Sequence, residues 1–435
     1  MLFFLSGLLA RLPAGACRCG ALVMALLLTG ISLASNAEPL SFADAMAGAL
    51  RETPALRASA AQTDAARQAA IPAAQLPDPK LVLGVENLPI EGPDRYSLTA
   101  DFMTMQRIGL MQEFPNAAKR DARSQGASAK VALMEATERL ARQFVLRETA
   151  RAWIARQTVE RQLGLLDDLI AENRLFDAAV RAQLAAGKGA AVDAIMPRQE
   201  AALIAQRRDE LAAQRIQAIA QLRRWLGTEA DEPLAGDVPD WSISREQLIG
   251  RLHRHPELAL FLPKARVLAA EISEATAAKQ PDWALELAYQ KRGPDFGDMV
   301  MVQVSFDLPF FVSARQEPMI AAKHAERVAL AAEQETRLRE QAAMLDSEWA
   351  EYRQLQQTQT RIDQVQMPLA TEKIALTLAA WRAGKGALTE VIAARGDRIE
   401  TQLNLIRVTG ARQQMAASLH YGYDDLSSEF AGLPL

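Results

Sequence analysis

Apolar and polar positions alternate strictly in two neighbouring stretches of the second half of the chain. The apolar positions are Trp283, Leu285, Leu287 and Tyr289 in the first stretch and Val300, Val302, Val304 and Phe306 in the second. A period of two is typical of a β-strand with one apolar face. The segment between them, 291–297, carries Gly-Pro and Gly turn signals. The sequence therefore predicts an amphipathic β-hairpin over 281–309.

A matching but less regular strand pair is predicted over 80–113 in the first half. Alternation begins at Leu81, and a second strand is predicted over Leu98–Gln112, although Arg107 and Gly109 interrupt its pattern. Two such hairpins make a poor core for a soluble protein whose remaining sequence is almost entirely helical. A strand of about ten residues with an apolar outer and a polar inner face is what a membrane β-barrel requires.

The clearer hairpin accordingly supplies the positions that we expect to face lipid. They are Leu285, Leu287, Tyr289, Val300, Val302, Val304 and Phe306. The alternative is that the same residues cover one face of a half-buried sheet in a soluble protein.

Each strand pair is followed by a very long stretch with helical periodicity, over 117–185 and over 314–383. Apolar residues at alternating spacings of three and four, as within 159–170, indicate coiled-coil packing. A helix of this length is a rod of roughly 100 Å. Such a rod cannot bury itself in a compact domain, so it must pack on neighbours. Pro368 predicts a kink in the second rod.

The pentapeptide Ala-Gly-Lys-Gly-Ala ends both long stretches, at Gly187–Gly189 and, 197 residues later, at Gly384–Gly386. Glycine ends helices because it adopts positive φ without a steric penalty. The match continues with an acidic residue four positions and an arginine nine positions past the second glycine, at Asp193 and Glu390 and at Arg198 and Arg395. The chain is therefore predicted to be one helical-hairpin unit written twice.

Each half begins with a predicted helix that a serine can cap, Ser41 in the first half and Ser244 in the second. Pro54 and Pro256 stand at similar places and are expected to kink or split these helices.

The resulting map divides the chain into a repeated series of segments. They are a signal peptide at 1–37, a leading helix at 38–79, the first β-hairpin at 80–113, the first long helical hairpin at 114–227, a linker at 228–243, a second leading helix at 244–280, the second β-hairpin at 281–309, the second long helical hairpin at 310–421 and a C-terminal tail at 422–435.

The N-terminus is typical of a secretory signal peptide. Arginines precede the apolar run Ala21–Leu28, and Ser35–Asn36–Ala37 places small residues at the cleavage site. Cys17 and Cys19, the chain's only cysteines, lie in the segment that cleavage after Ala37 removes. The mature chain is therefore expected to lack disulfides and thiolate sites. A formal net charge of −4 gives no reason to expect a nucleic-acid partner.

No pattern of catalytic or cofactor-binding residues stands out, so we predict neither enzyme activity nor a cofactor. The Gly-Lys-Gly turns lack the spacing of a phosphate-binding loop and follow a helix. His253 and His255 point apart if they lie on a helix, so we predict no shared metal ion. Methionines on the strands, a possible copper(I) ligand set, are expected to be wall residues of the barrel; they are Met103, Met105, Met299 and Met301.

The order of elements, written twice behind a signal peptide, resembles the TolC family of outer-membrane efflux channels over nearly the whole mature chain. Gln112–Glu113–Phe114–Pro115 followed by Lys119–Arg120 resembles the strand exit of the CusC/CzcC-like heavy-metal subgroup, with Ala118 where that subgroup has glycine. Pro368, the segment 381–384, Glu390 and Arg395 together resemble the second hairpin tip of the family, although Trp381 replaces the usual tyrosine.

The resemblance implies a mainly α fold with a small membrane β part and an internal two-fold repeat. A homotrimer would close a 12-stranded β-barrel in the outer membrane of a Gram-negative bacterium, and the helical hairpins would form a periplasmic α-barrel. The chain would be the passive exit duct for an inner-membrane RND-type pump and its periplasmic adaptor, conducting heavy-metal cations. The adaptor would contact the periplasmic tip, at Gly187, Lys188, Gly189, Asp193, Gly384, Lys385, Gly386 and Glu390.

Other functions stay open. A duct of this kind could carry drugs, other small molecules or type I secretion substrates instead of metals, and the two lysines could be solvated without touching an adaptor. A periplasmic adaptor also has a long helical hairpin, but usually one hairpin and a β-rich body. A structural coiled-coil protein of the periplasm would not need amphipathic strand pairs at matching positions in both halves.

Overall fold

A computed structural model of the chain describes residues 39–423. The predicted signal peptide at 1–37 and the tail from 424 onward lie outside the described residues. In chain order the elements are β1 (Leu40–Ser41), α1 (Phe42–Glu52), α2 (Pro54–Ala70), β2 (Lys80–Glu86), β3 (Met105–Phe114), α3 (Ala117–Ala185), α4 (Met196–Leu226), β4 (Leu234–Ala235), α5 (Arg245–Arg251), α6 (Pro256–Ala259), α7 (Phe261–Ala277), β5 (Trp283–Lys291), β6 (Met299–Phe306), α8 (Gln316–Arg361), α9 (Met367–Arg382) and α10 (Leu388–Tyr423).

The first leading helix begins as the sequence indicates. Ser41 is the N-cap of α1, and its Oγ accepts a hydrogen bond from the backbone N–H of Asp44 at 3.1 Å. Pro54 is the first residue of α2, so the predicted helix is split into α1 and α2 at that proline.

The second leading helix is more broken than predicted. Ser244 precedes α5, but its hydroxyl donates to Glu246 at 2.7 Å rather than capping the helix backbone. Helical structure over 245–277 is divided into α5, a 3₁₀ turn, α6 and α7. The break falls at His255, which has extended backbone because Pro256 follows it.

The segment predicted as a linker between the repeats is also structured. Residues 227–231 form a 3₁₀ helix, and β4 pairs in parallel with β1. Arg156, fully buried on α3, donates to the carbonyls of Ala230 and Glu232 at 2.7 and 2.8 Å. These hydrogen bonds hold the segment between the repeats against α3.

The four long strands form one antiparallel sheet in the order β2-β3-β5-β6. The two predicted hairpins are therefore joined edge to edge by pairing between β3 and β5. The second strand of the first hairpin begins at Met105, not at Leu98 as predicted. The residues before it form turns, in which the Asp101 carboxylate accepts from the backbone N–H of Met103 and Thr104 donates to the Asn87 carbonyl.

The two long helical rods run from the sheet to the glycine turns. We call α3 with α4 hairpin 1, and α8 with α9 and α10 hairpin 2. The single helix α3 has 69 residues and the bounds that the pattern predicted. In hairpin 2, a π-helical turn at Ile362–Gln366 separates α8 from α9. It ends two residues before Pro368, which has no N–H to donate and clashes with the preceding turn. The kink predicted at Pro368 therefore takes the form of a π-helical turn.

The main apolar core lies around Trp153 of α3, which is completely buried. Phe42 packs edge-on against it with ring centroids 5.4 Å apart, and the Trp153 indole donates to the Leu40 carbonyl at 3.4 Å. Three further apolar clusters follow the helices, centred on Leu345, on Leu166 and on Val180. Across residues 39–423, no helix has both the length and the apolar character needed to cross a bilayer.

Candidate functional site

The four-stranded sheet has one apolar face, and that face is exposed. Cross-strand partners share a face in an antiparallel sheet, so the pairs Leu287 with Val302 and Tyr289 with Val300 place these residues together. Val300 is 69% and Val302 66% exposed. The same face carries all the positions predicted to face lipid, together with neighbours on β2 and β3, namely Leu81, Leu83, Ile108 and Leu110.

The opposite face of the sheet carries its charged and polar residues, and it is buried along the middle of the sheet, at Gly109, Glu286 and Gln290. Arg107 lies at its centre and forms ion pairs with Glu86, at 2.5 Å, and with Glu286. Gln290 donates to the second carboxylate oxygen of Glu86 at 2.8 Å. Gly109 leaves the space that this cluster needs, since a Cβ there would lie 2.9 Å from Glu286 Oε1. Arg107 and Gly109, which interrupted the apolar alternation in the sequence, therefore belong to a polar face.

Along β5 the burial pattern is the inverse of that in a soluble sheet. Leu285, Leu287 and Tyr289 are exposed, whereas Glu286 and Gln290 between them are buried. A soluble sheet with one covered face buries its apolar residues and exposes its polar ones. This sheet does the reverse. Such a pattern is favourable when the exposed apolar face meets an apolar environment.

A polar joint connects the sheet to the long helices. Asn116 caps α3 by accepting from the Lys119 N–H at 2.8 Å, and the Lys119 ammonium contacts Asp282, just before β5, at 2.7 Å. Asp282 also accepts from the Asn116 backbone N–H at 2.8 Å. Burial opposes ionisation of Asp282, but the hydrogen bonds from Lys119 and Asn116 hold its pKa below the ordinary value. The strand-exit segment noted in the sequence thus fixes where the strands leave and the helix begins.

At the other end of the helices, the two glycine turns begin with the same backbone conformation. Gly187 and Gly384 have φ of 73° and 70°. The Gly187 N–H donates to Leu184 and the Gly384 N–H to Trp381, both at 2.9 Å. Both hydrogen bonds close the C-terminus of a long helix on a left-handed glycine. The repeat read from the sequence is therefore also a repeat of local structure.

The charged residues of the turns have distinct settings. Lys188 and Lys385 are both exposed, and neither forms an ion pair with any residue in the described part of the chain. The Asp193 carboxylate accepts from the Ala190 N–H at 2.9 Å and so caps the 3₁₀ turn before α4. Glu390 lies in the first turn of α10, where a negative charge complements the helix dipole.

Both turns lie over one apolar cluster. Phe176 and Val180 of α3 pack with Leu388 and Val391 of α10, and Phe176 lies 6.1 Å from the Trp381 ring, measured between centroids. Gly187–Gly189 and Gly384–Gly386 are therefore brought together at one end of the helical body, which we call the helical tip.

Just behind this cluster lies a buried ion network that sequence reasoning did not find. Arg395 of α10 contacts Glu200 of α4 at 2.9 Å and Glu172 of α3 at 2.8 Å, and its guanidinium lies 4.7 Å from the Phe176 ring centroid. Arg395 and Glu200 are only 5% and 6% exposed. Asn173 donates to the other oxygen of Glu200 at 2.7 Å. The sequence marked Arg395 as the repeat partner of Arg198, which is exposed, and as part of the tip resemblance, but gave no sign of its burial.

The two histidines near Pro256 do not share a site. His253 is exposed, whereas His255 is buried with its ring 5.2 Å from that of Tyr423, measured between centroids. Within residues 39–423, no three His, Cys, Asp or Glu side chains lie close enough together to hold a metal ion.

No protein-family model matches the sequence, and no curated protein matches it. Solved structures do share the fold. A membrane protein from Pseudomonas aeruginosa is 16% identical with a TM-score of 0.75, covering 88% of this chain and 90% of that one. CusC, described in terms of transmembrane channel formation, is 16% identical with a TM-score of 0.74, covering 88% and 91%. VceC, an outer membrane protein of Vibrio cholerae, is 16% identical with a TM-score of 0.72, covering 88% and 97%.

These similarities extend over almost the whole length of both chains in each case. They show that this chain has the mainly helical fold of outer-membrane channel proteins, with a small β part and long helical hairpins.

Proposed function

We propose that this chain is one protomer of an outer-membrane channel, with the four-stranded sheet in the membrane and the helical hairpins in the periplasm. The observation that carries the proposal is the inverted sheet, which exposes Leu287, Val300 and Val302 while it buries Glu286 and Gln290. Lipid on the outer face and water on the inner face would make both faces favourable. The fold similarity to an outer membrane protein and to a channel-forming protein supports the same location.

The edges of the sheet support closure with further copies of the chain, and we propose a homotrimer. Within the described residues, β2 and β6 each pair along one side only. Unpaired strand edges are not tolerated in hydrocarbon, because each unsatisfied backbone group costs several kcal/mol there. Pairing of β6 with β2 of the next copy removes both edges. Three copies would close a barrel of 12 strands, each copy giving four.

The helical body suits a duct that spans the periplasm. The helix α3 alone is about 100 Å long, and its far end is the helical tip. We place the contact with a periplasmic adaptor at this tip, through the exposed turns at Gly187–Gly189 and Gly384–Gly386 and their neighbours Asp193 and Glu390. The channel is passive, and an inner-membrane RND-type pump supplies the energy for efflux.

Heavy-metal cations are the substrates that we propose. The support is the strand-exit segment Gln112–Pro115 with Lys119–Arg120, which resembles that of the heavy-metal subgroup, and which in the structure forms the joint at Asn116 and Asp282. Drugs, other small molecules and type I secretion substrates are the alternative cargoes of the same duct.

Membrane fractionation of the expressed protein, followed by mass measurement in mild detergent, tests the channel. We expect a trimer in the outer-membrane fraction. A soluble periplasmic monomer would rule the channel out, since the apolar sheet face would then be stable in water.

The substrate has a separate test. A strain lacking the gene, complemented with the unaltered gene or left empty, is exposed to a panel of metal salts and drugs. Protection against metals alone supports metal efflux, and protection against drugs alone contradicts it while leaving the channel intact.

A further inference from the structure

The internal repeat predicts a contact that a single protomer cannot show. A shift of 197 residues maps the first glycine turn onto the second, and the hydrogen bond from Gly187 to Leu184 onto that from Gly384 to Trp381. The bond from the Lys188 N–H to Gln183 likewise maps onto that from the Lys385 N–H to Ala380, both at 2.9 Å. Hairpin 1 and hairpin 2 are thus structural copies near the helical tip.

Within one protomer the two hairpins meet through the Arg395 network. Arg395 of hairpin 2 enters between the two helices of hairpin 1 and binds Glu200 there. This contact uses one lateral side of hairpin 1 and one lateral side of hairpin 2. Near the helical tip, the other two sides have no partner within the described residues of a single chain.

In a closed trimer, which the proposed function requires, hairpins 1 and 2 alternate around the ring. Hairpin 2 then lies between hairpin 1 of its own chain and hairpin 1 of the neighbouring protomer. The shift of 197 residues therefore maps the contact between the two hairpins of one chain onto the contact between hairpin 1 of one protomer and hairpin 2 of its neighbour. It replaces Arg395 by Arg198, and Glu200 by Asp397.

Both replacements keep the charge. Lys and Arg together make up 49 of 435 residues, and Asp and Glu make up 53, so retention of an arginine and an acid at two specified positions is uncommon by chance. We therefore propose that Arg198 of each protomer enters between α9 and α10 of its neighbour and pairs with the neighbour's Asp397. This inference rests on the proposed trimeric channel and assigns its subunit contact at the helical tip.

The surroundings of the two residues suit this contact. Arg198 is exposed and forms no ion pair within the described part of its own chain, whereas Arg395 is buried. The Asp397 side chain is 58% exposed; Lys373 contacts its Oδ2 atom at 2.6 Å, which leaves Oδ1 available. Ala202 and Ala213, on the same side of α4 as Arg198, are exposed and small enough to allow a neighbouring helix close approach.

We expect the contact between protomers to be weaker than the Arg395 contact within one protomer. The shift replaces Glu172, the second carboxylate of the network, by Leu369, and Phe176 by Lys373. Arg198 would therefore keep one carboxylate partner and lose both the second carboxylate and the aromatic ring that Arg395 has.

Cross-linking tests the contact, because the sequence has no cysteine after Cys19. The matched variant is Arg198→Cys with Asp397→Cys, treated in outer membranes with a short bis-maleimide reagent. Such a reagent spans separations for which a direct disulfide, limited to about 7 Å between Cα atoms, is too short. We expect covalent dimers and trimers on a denaturing gel.

Two control variants make the result decisive. Asp209→Cys with Asp397→Cys keeps the same face of α4 but moves the thiol on the order of 16 Å along it, and should give only monomer. Lys373→Cys with Asp397→Cys should bridge within one chain and shows that the reagent reaches the tip.

The outcomes separate this inference from the proposed function. If the unaltered protein is a trimer and the matched variant stays monomeric while the Lys373 control bridges, the inference is overturned and the channel stands. Bridging of the Asp209 variant in place of the matched one has the same meaning. If the unaltered protein is not an outer-membrane trimer, the channel and the contact are both overturned.

Discussion

Gly410 of α10 packs directly against Thr158 of α3, so closely that a Cβ on the glycine would lie 2.0 Å from the threonine Oγ1 atom. Thr158 cannot turn away without loss, because its hydroxyl donates to the Ile154 carbonyl at 2.7 Å. This contact sets how closely the two hairpins approach midway along the helical body. Gly410 has ordinary α-helical backbone, which any residue could adopt. Glycine is therefore required at this position for lack of space and not for its backbone conformation.

We expect Gly410→Ala to destabilise the protein by about 1–3 kcal/mol, the usual cost of an overpacked contact. The matched control is Gly396→Ala on the same helix, where nothing lies within 4 Å of the added Cβ. It should stabilise by up to about 1 kcal/mol through helix propensity. Denaturant unfolding of both variants in detergent measures the difference. Equal effects of the two substitutions would mean that the Thr158 contact relaxes freely.

Removal of the Arg395 guanidinium should be far more costly. Arg395→Ala would leave Glu200, which is 6% exposed, as a buried carboxylate without its cation. Breaking a buried pair in this way costs about 3–5 kcal/mol. Thermal unfolding in detergent should show a large fall in the midpoint.

The control for Arg395→Ala is Arg407→Ala, on the same helix but exposed and bonded only to Asn404, at 2.7 Å. We expect this control to change stability by less than about 0.5 kcal/mol. If the two variants unfold alike, the network at the helical tip contributes nothing specific to stability.

Acid should destabilise the helical body through His255. Burial lowers the pKa of His255 below its ordinary value of 6.5, with the nearby charges of Arg147 and Arg337 acting in the same direction and Glu257 opposing them. The folded protein therefore binds fewer protons at this site than the unfolded chain. Its contribution to stability is complete above about pH 6.5 and is lost as the pH falls toward the folded pKa.

The measurement is the free energy of unfolding of the native protein and of His255→Asn between pH 7.5 and 5.5. The native protein should lose up to about 1.4 kcal/mol more per pH unit than the variant. Asparagine can still accept the Glu257 N–H that His255 Nδ1 accepts at 3.3 Å. Burial raises the pKa of Glu348 nearby, which favours the folded state in acid, but this effect is common to both proteins. Parallel pH profiles would show that His255 titrates alike in the folded and unfolded chain.

The sequence predicted the elements that depend on local pattern and not those that depend on distant partners. The bounds of α3 and the amphipathic strands β5 and β6 follow from periodicity, proline and glycine. The start of β3 was wrong by seven residues, because the turn before Met105 is held by Asp101 and Thr104 in a way that no periodicity records.

In the candidate site, too, local features could be predicted from the sequence and contacts with distant residues could not. Positive φ at Gly187 and Gly384 could be predicted, since the turn requires it. The burial of Arg395 could not, because Glu172 and Glu200 are more than 190 residues away and its repeat partner Arg198 is exposed. Arg107 was misread as an interruption for a similar reason: its partner Glu286 lies on a strand of the other repeat.

The exposed sheet face gives the sharpest test of the membrane assignment. Val302→Arg places a charge in the middle of the apolar face, opposite Leu287. At the bilayer midplane such a charge costs about 2–4 kcal/mol per strand position, and a trimer carries it three times. We therefore expect markedly less trimer in the outer-membrane fraction, measured on unheated detergent gels.

The neighbouring position on the opposite face provides the control. Gln303 pairs with Glu286 across the polar face of the sheet, where Gln303→Arg adds the same side chain beside a carboxylate. This variant should assemble nearly as well as the unaltered protein, because its charge faces the polar interior. If both variants assemble equally, the face that carries Val302 does not meet lipid. A loss of assembly in Gln303→Arg alone would mean that the two faces of the sheet have been assigned the wrong way round.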